Sequence, residues 1–288
     1  MKLMMFEKGK GVALGLVDGK SVIDLNVADP SLPKDLKALI AAGPTALAAA
    51  QAAGAKAPAS ARFNLGAMKP ALPIGPPGKI VCVGLNYALH AKEGGHPIPT
   101  YPAFFLRVPT SLVAAGAPVI RPKVSVQLDY ECELTIVIGK KGRNIPEAKA
   151  LEHVFGYTLF NDVSVRDFQR KTTQWTPGKN FDATGPLGPW IITADELPPG
   201  ASGLRIMTRV NGETMQDSNT SDMIFSTAQT IALLSEFMTL EPGDVIATGT
   251  PSGVAHARTP QPWMKAGDKV EVEVEKIGVL ANPIVDEA

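Results

Sequence analysis

Histidine and cysteine, the residues that build zinc sites and disulfide frameworks, are scarce in this chain. Its 288 residues include four histidines and two cysteines, Cys82 and Cys132. Their spacings do not fit a His- and Cys-rich zinc site, which is therefore not expected. Each cysteine lies in an apolar segment that predicts a buried strand, and two cysteines make no disulfide framework. The absence of a disulfide framework indicates a reducing compartment, and we therefore predict a cytoplasmic protein.

The chain also lacks an excess of charge of either sign and a long apolar run. It carries 28 Lys and Arg against 28 Asp and Glu, and no segment forms a basic stripe. Nucleic acid is therefore not the expected partner. No apolar run reaches membrane-spanning length, and residues 1–10 contain no long apolar stretch. A membrane partner is not expected either.

What is present is a succession of short strand patterns with few helices. Residues 1–72 predict a small N-terminal α+β domain with three short strands and an Ala-rich helix over residues 36–53. A Pro/Gly-rich linker is predicted over residues 54–77, across the boundary with the next domain. Residues 73–288 predict the larger domain. Strands dominate without a βαβ rhythm, so we predict an α+β protein that is mostly β, with mixed, chiefly antiparallel sheets.

The segment at residues 127–134 alternates apolar and acidic residues. Asp129, Glu131 and Glu133 fall on one face of a predicted strand, which runs on into the apolar residues 135–138. This pattern is typical of a strand that enters a buried region. Buried carboxylates must be paired, protonated or bound to metal. The alternative is an exposed strand face with unpaired acids.

Asp162 ends a second apolar strand pattern, where functional carboxylates often lie. Together with Glu131 and Glu133 it offers three hard oxygen ligands, a set that suits Mg²⁺, Mn²⁺ or Ca²⁺. Such a site would leave about three coordination positions for water or a chelating substrate. The alternative is two unrelated groups of acids.

His90 and Glu93 are spaced i, i+3 on a predicted short helix that Asn86 is expected to cap. A carboxylate beside an imidazole raises its basicity and fixes its tautomer, which suits a general base. The alternative is a surface pair without a catalytic role.

Asp162, Arg166 and Gln169 are one helical turn apart and can line one wall of a site. Lys179, between Gly178 and Asn180, suits a tight loop that directs an ammonium group into a pocket. Arg166 could instead simply pair with Asp162 or with Asp167.

The small residues at 247–254 follow a predicted strand and would let the backbone approach a ligand closely. The alternative is a simple tight turn. His96, His153 and His256 have no motif around them and are expected to be structural or on the surface.

Seven sequence strings together resemble the fumarylacetoacetate hydrolase family. They occur in that family's order from about residue 79 to the end, and they are GLNYALHAKE, LDYECELTIVIGKKGR, NDVSVRDFQ, PGKNFD, VNGETMQ, PGDVIATGTPSGV and AGDKVEVEVEKIG. The resemblance implies a mixed β-sandwich roll, usually dimeric, that binds Mg²⁺ or Mn²⁺. Residues 1–70 are similar to the small N-terminal domain of many bacterial members.

The resemblance also implies a role for each matching position. The implied metal ligands are Glu131, Glu133 and Asp162. The implied catalytic residues are His90 and Glu93, on a lid in several members, and Lys179. The implied substrate contacts are Arg107, Arg166, Gln169 and Thr250. Arg107 stands where many relatives have lysine, and FDATGPLGP departs slightly from the commoner pattern, which leaves substrate choice open.

The expected substrate is a 2-oxo acid that chelates the metal through its ketone oxygen and carboxylate. Because both His90 and Glu93 are present, we favour C–C bond hydrolysis of a 2,4-dioxo acid of the acylpyruvate, fumarylpyruvate or fumarylacetoacetate type, as in aromatic catabolism. The alternatives are an oxaloacetate decarboxylase and an isomerase of 2-hydroxyhepta-2,4-diene-1,7-dioate or 5-carboxymethyl-2-hydroxymuconate. A metal-binding structural homodimer is the non-enzyme alternative.

Overall fold

A computed structural model describes all 288 residues. The strands are β1 (Lys2–Lys8), β2 (Gly11–Asp18), β3 (Ser21–Asp24), β4 (Arg62–Asn64), β5 (Ile80–Gly84), β6 (Ala103–Leu106), β7 (Leu112–Ala114), β8 (Val119–Arg121), β9 (Leu128–Asp129), β10 (Cys132–Ile138), β11 (Val154–Asn161), β12 (Ser164–Val165), β13 (Gly185–Thr193), β14 (Arg205–Val210), β15 (Glu213–Asn219), β16 (Val245–Ala247), β17 (Lys269–Val274) and β18 (Gly278–Asp286). The α-helices are α1 (Leu25–Ala28), α2 (Leu36–Ala41), α3 (Gly43–Ala55), α4 (Ala88–Glu93), α5 (Arg166–Gln169), α6 (Thr176–Lys179) and α7 (Thr227–Phe237). No helix is long and apolar enough to cross a membrane.

The strands form one large sheet, one of five strands and one of two. The large sheet has the order β4-β3-β2-β1-β13-β11-β10-β16-β5-β6, with β7 also beside β13. The five-stranded sheet has the order β15-β14-β17-β18-β8, and β9 pairs with β12. Only β13–β7, β16–β5 and β18–β8 are parallel. The predicted mixed, mostly β architecture of the α+β class is confirmed.

The two larger sheets pack against each other through their apolar faces. Leu134 and Ile136 of β10 belong to the same fully buried cluster as Ile206 of β14 and Val272 of β17. Side chains that alternate along β14 and β17 point either into this cluster or toward the outside, as the period of a strand requires. The result is a sandwich whose inner strand β10 carries the acidic residues at its beginning.

The N-terminal residues extend the large sheet. β1 pairs with β13, with Leu3 opposite Ile191, and Leu3 and Leu36 belong to one buried cluster with Phe160 and Ile191. The division of the chain at residue 72 stays a prediction, but the two parts share both a sheet and a core. The predicted linker over residues 54–77 also contains β4, which pairs with β3.

Three local predictions differ from the structure. The helix expected over residues 36–53 is divided into α2 and α3, because Gly43, the first residue of α3, has a φ of 80° that interrupts the helical backbone. The acidic strand is interrupted after Asp129 and resumes at Cys132. Asn86 does not cap α4; its amide donates to the carbonyls of Thr248 and Phe225 at 2.7 and 3.0 Å.

Candidate active site

Neighbouring strands bring the three predicted ligands together. β10 and β11 pair so that Cys132 lies opposite Asn161, which places Glu131 and Asp162 at adjacent strand ends. The Asp162 N–H donates to the Glu131 carbonyl at 2.9 Å, and the Glu131 N–H donates to the Asn161 side chain at 2.9 Å. One carboxylate oxygen each of Glu131, Glu133 and Asp162 lies within 4.8 Å of the others, and all three residues are buried. Neither an exposed acidic face nor two unrelated acid groups fits this arrangement.

Buried cations pair with two of these three carboxylates. The Lys179 Nζ lies 2.7 Å from Glu131 Oε2 and 2.6 Å from Asp162 Oδ2. The Arg166 Nη2 lies 2.6 Å from Glu131 Oε1, in a geometry that gives no hydrogen bond. Glu133 has no cationic partner and accepts only the Gly249 N–H, at 2.9 Å.

The uneven pairing gives the carboxylates opposite pKa shifts. Burial alone would raise the pKa of Glu131, but Lys179 and Arg166 outweigh it and lower that pKa to about 2. Burial, with the negative charges of Asp162 and Glu131, raises the pKa of Glu133. The positive charge of Lys179 acts in the opposite direction but does not outweigh these effects on the pKa of Glu133.

The Lys179 side chain reaches the carboxylates because α6 packs tightly against α5. A Cβ on Gly178 would lie 2.4 Å from the Gln169 nitrogen, so only glycine allows this approach. Burial would lower the pKa of Lys179, but Asp162 and Glu131 raise it, and its ammonium stays charged.

Asp129 fixes the other side of the site, a role that sequence reasoning did not assign to it. Its carboxylate accepts the Arg166 Nε–H at 2.8 Å and the backbone N–H groups of Ala255 and His256 at 2.8 and 3.0 Å. Arg166 therefore pairs with Asp129 and Glu131, and not with Asp162 or Asp167 as the sequence had allowed. The signal in the sequence was the place of Asp129 two residues before Glu131.

His90 and Glu93 form a hydrogen-bonded pair at the end of α4. The His90 Nδ1 lies 2.8 Å from Glu93 Oε1, and the second Glu93 oxygen accepts the Gly253 N–H at 2.8 Å. Glu93 is thus held by the loop after β16. A carboxylate at Nδ1 favours the tautomer with the proton on Nδ1 and leaves Nε2 free to accept a proton.

One cavity of about 380 Å³ brings most of the predicted site residues together. Its lining includes His90, Glu131, Glu133, Asp162, Arg166, Gln169, Lys179 and Thr250. Gln169 accepts from the Arg166 Nη1 at 2.9 Å, and the Thr250 hydroxyl accepts from Gln216 at 2.8 Å. Glu93 lies behind His90, outside the lining.

Arg107 is the predicted substrate contact that the structure does not bring to the cavity. Its Nη1 donates to Asp162 Oδ1 at 2.5 Å, and its other nitrogens donate to Ser111 and Thr184 at 3.2 and 2.9 Å. The guanidinium also lies over the Phe160 ring. Arg107 therefore lies behind Asp162, where it can orient the Asp162 carboxylate, which is one of the predicted metal ligands.

The cavity lining also contains Trp175, Arg170 and His256, which sequence reasoning did not select. Trp175 packs edge-on against Phe105 and reaches Gly84, where an added Cβ would lie 2.1 Å from the indole ring. No motif marks these three positions, because tertiary packing alone brings them together.

The donor set fits a divalent cation. Three buried carboxylates with oxygens within 4.8 Å of one another supply hard ligands, and Glu133 lacks a cationic partner. A divalent cation bound by Glu131, Glu133 and Asp162 would supply the missing positive charge.

The sequence profile described as "Fumarylacetoacetate (FAA) hydrolase C-terminal" matches residues 79–285. Among curated proteins, the chain is 42% identical to a mitochondrial oxaloacetate tautomerase of Xenopus laevis and 41% identical to one of Homo sapiens. Each alignment covers 99% of this chain, with 90% and 92% of the respective relative.

Three solved structures are similar over the full length of both chains. They are a fumarylacetoacetate hydrolase of Exiguobacterium antarcticum (TM-score 0.85, 34% identity), a maleylpyruvate hydrolase of Sphingobium (0.83, 31%) and a 5-carboxymethyl-2-hydroxymuconate delta-isomerase of Mycobacterium smegmatis (0.78, 34%). The profile match over most of the chain, the curated relatives and the shared fold agree with the site geometry. The chain belongs to the fumarylacetoacetate hydrolase family of enzymes.

Proposed function

We propose that this chain is a divalent-metal-dependent tautomerase that interconverts the enol and keto forms of a 2-oxo dicarboxylate of the oxaloacetate type. The observation that carries the proposal is the position of His90, held at Nδ1 by Glu93, in the same cavity as three buried carboxylates. Relatives that align with 99% of the chain bear the name oxaloacetate tautomerase, which supports this choice of reaction.

The proposed reaction needs only the movement of a proton. Glu131, Glu133 and Asp162 would hold a divalent cation, which would supply a Lewis acid that makes the protons beside the ketone of a 2-oxo acid more acidic. In the enol-to-keto direction the enol O–H loses its proton and C3 gains one. His90 Nε2 holds the proton between these two atoms, and Glu93 stabilises the imidazolium that forms.

The remaining polar residues orient the groups that react. Lys179 and Arg166 keep Glu131 ionised, and Arg107 fixes Asp162 from behind. Gln169 and Thr250 present hydrogen-bonding groups to the cavity. Lys179, Arg166, Arg107 and Thr250 are buried, which limits the reorganisation that the reaction requires.

Hydrolysis of a C–C bond, the reaction favoured from the sequence, is the second candidate. The His90–Glu93 pair could equally activate a water molecule. We place it second because the relatives from Xenopus laevis and Homo sapiens are named for a proton shift. Oxaloacetate decarboxylation and hydroxymuconate-type isomerisation would use the same carboxylates and are separated from tautomerisation by their products.

The test is an assay of the purified protein with Mg²⁺, Mn²⁺ or Ca²⁺ on freshly dissolved enol oxaloacetate. We expect loss of enol absorbance well above the rate in buffer, abolished by a chelator and restored by the preferred metal. Pyruvate release from oxaloacetate and cleavage of an acylpyruvate are measured in parallel. A decay rate equal to that of buffer with all three metals would exclude the tautomerase proposal, and rapid acylpyruvate cleavage would favour hydrolysis.

The cytoplasmic location expected from the cysteine content stays a prediction. The relatives from Xenopus laevis and Homo sapiens are both named as mitochondrial proteins.

A further inference from the structure

The cavity contains one arginine without an acidic partner. Three lysine or arginine side chains line it, and Arg166 and Lys179 are each paired with buried carboxylates. Arg170, directly after α5, lines the same cavity, but its side chain forms neither an ion pair nor a hydrogen bond. Its guanidinium is therefore available to an anionic ligand.

His256 also lines the cavity and has one polar side-chain atom without a partner. Its ring lies nearly parallel to that of Trp263, with centroids 6.5 Å apart and an interplanar angle of 11°. Its backbone N–H donates to Asp129 Oδ2 at 3.0 Å, which fixes the residue at its backbone. Its Nδ1 is buried without a hydrogen-bond partner. A buried polar atom of this kind normally has one.

Arg170 and His256 lie within electrostatic range of each other and of Arg166. Burial lowers the pKa of His256, and the positive charges of Arg170 and Arg166 lower it further. Burial and the charge of Arg166 likewise lower the pKa of Arg170. An anion at this place would relieve the repulsion among these groups.

We propose that Arg170 and His256 form a subsite for the second carboxylate of a 2-oxo dicarboxylate whose 2-oxo acid end lies at Glu131, Glu133 and Asp162. The proposal rests on the proposed function, and it gives a reason why the protein would prefer dicarboxylate substrates to monocarboxylates. The cations beside the metal ligands are already paired, so the distal carboxylate of a diacid finds its free donor at Arg170. The imidazole of His256 supplies a second hydrogen-bonding group.

The test compares oxaloacetate with its 4-ethyl ester, which keeps the 2-oxo acid end and lacks the distal negative charge. The variants are Arg170→Gln and His256→Phe, the latter keeping a ring to stack on Trp263. Lys171→Gln is the matched control, because it removes the same charge from an exposed neighbour that lies over the Phe168 ring and outside the cavity lining.

Arg170→Gln is expected to raise KM for oxaloacetate by about twofold to fivefold, the loss expected for one solvent-exposed ion pair. The KM for the ester should change little in this variant, and kcat should change less than KM with either substrate. His256→Phe should show the same selectivity with a smaller effect, and Lys171→Gln should match the parent. An equal change on both substrates, or no change on oxaloacetate, would overturn the subsite.

Failure of the proposed function has a different signature. In that case the parent protein converts neither substrate, and the subsite is tested by calorimetry with malate and its 4-methyl ester in the presence of Mg²⁺. The parent should bind malate more tightly than the ester, and Arg170→Gln should abolish the difference. Equal affinities in the parent would overturn the subsite independently of any reaction.

Discussion

The charge balance at single residues decides where a bound cation matters most. Glu131 and Asp162 are each paired with two cationic side chains, whereas Glu133 has a single backbone N–H. A buried carboxylate without a cationic partner destabilises a folded protein. A metal ion bound here would therefore contribute both to the proposed chemistry and to the stability of the fold.

Removing the charge of Glu133 separates these two contributions. Without metal, at a pH high enough to ionise Glu133 despite its raised pKa, Glu133→Gln should unfold at a higher temperature than the parent, by roughly 2–4 °C for each kcal/mol of repulsion removed. With Mg²⁺ at 100 times the parent's Kd, the parent should gain about 2.7 kcal/mol and the variant much less. Thermal unfolding with and without Mg²⁺ measures both effects. Glu213→Gln, on an exposed residue of β15, is the control. An undiminished Mg²⁺ effect in Glu133→Gln would show that Glu133 is not a ligand.

Removing the imidazole of His90 tests the proton-transfer role. His90→Ala should lower the tautomerase rate by roughly 10²–10⁴-fold, the usual contribution of a general base. Glu93→Gln should lower it less, because it keeps the shape of the side chain but loses its charge. Neither change should alter Mg²⁺ affinity, since neither residue is a proposed ligand. The measurement is kcat at saturating Mg²⁺, with Lys92→Ala on the exposed face of α4 as the control. A parental rate in His90→Ala would assign the proton transfer to another group.

At the scale of elements, the contact between α5 and α6 sets the position of Lys179. Gly178→Ala should push α6 away from Gln169, because the new Cβ would lie 2.4 Å from a backbone nitrogen. We expect a loss of stability of about 1–3 kcal/mol, the range for overpacking, together with weaker Mg²⁺ binding. Gly11→Ala is the matched control, because an added Cβ there has no atom within 4 Å. Thermal unfolding and calorimetry report the two effects, and equal behaviour of the two variants would refute the close-contact argument.

The elements that could be predicted from sequence are those with strong local patterns. Asn211-Gly212 marks the turn between β14 and β15, and the alternation before residue 135 indicates the acidic strand. The interruption of that strand after Asp129 could not be predicted, because alternation reports burial and not hydrogen bonding between strands. β4 was missed because its Ala- and Pro-rich surroundings favour a linker, and pairing with β3 overrides that local preference.

The candidate site was predictable to a similar degree. Carboxylates near a buried strand point to hard-metal chemistry by themselves, so Glu131, Glu133 and Asp162 stand out in the sequence. Arg170 and His256 do not, because their surroundings come from segments far apart in the chain. The roles of all these residues stay predictions until variants are assayed.

At the scale of the whole molecule, residues 1–72 complete the large sheet. We predict that a protein comprising residues 73–288 loses stability and aggregates, because β13 would lose β1 and its shared core would be exposed. Thermal unfolding and light scattering of the truncated and full-length proteins measure this. Equal unfolding temperatures would instead support two independent domains.

The homodimer expected from the family resemblance stays a prediction. Sedimentation at micromolar concentration should give a mass twice the 30.3 kDa of one chain. Val124 and Val126, which are 62% and 65% exposed, should become less accessible to solvent in such an assembly. A 30.3 kDa species at that concentration would contradict the prediction.

The pairing of β1 with β13 also sets a waiting time during synthesis. Leu3 pairs with Ile191, so at the ~5–20 residues per second of ribosomal elongation β1 is made roughly 10–40 s before its partner. Throughout this interval one edge of β1 is unpaired and open to other nascent chains. Rapid overproduction, which brings many half-made chains together, should therefore reduce the yield more than the stability of the finished protein would suggest.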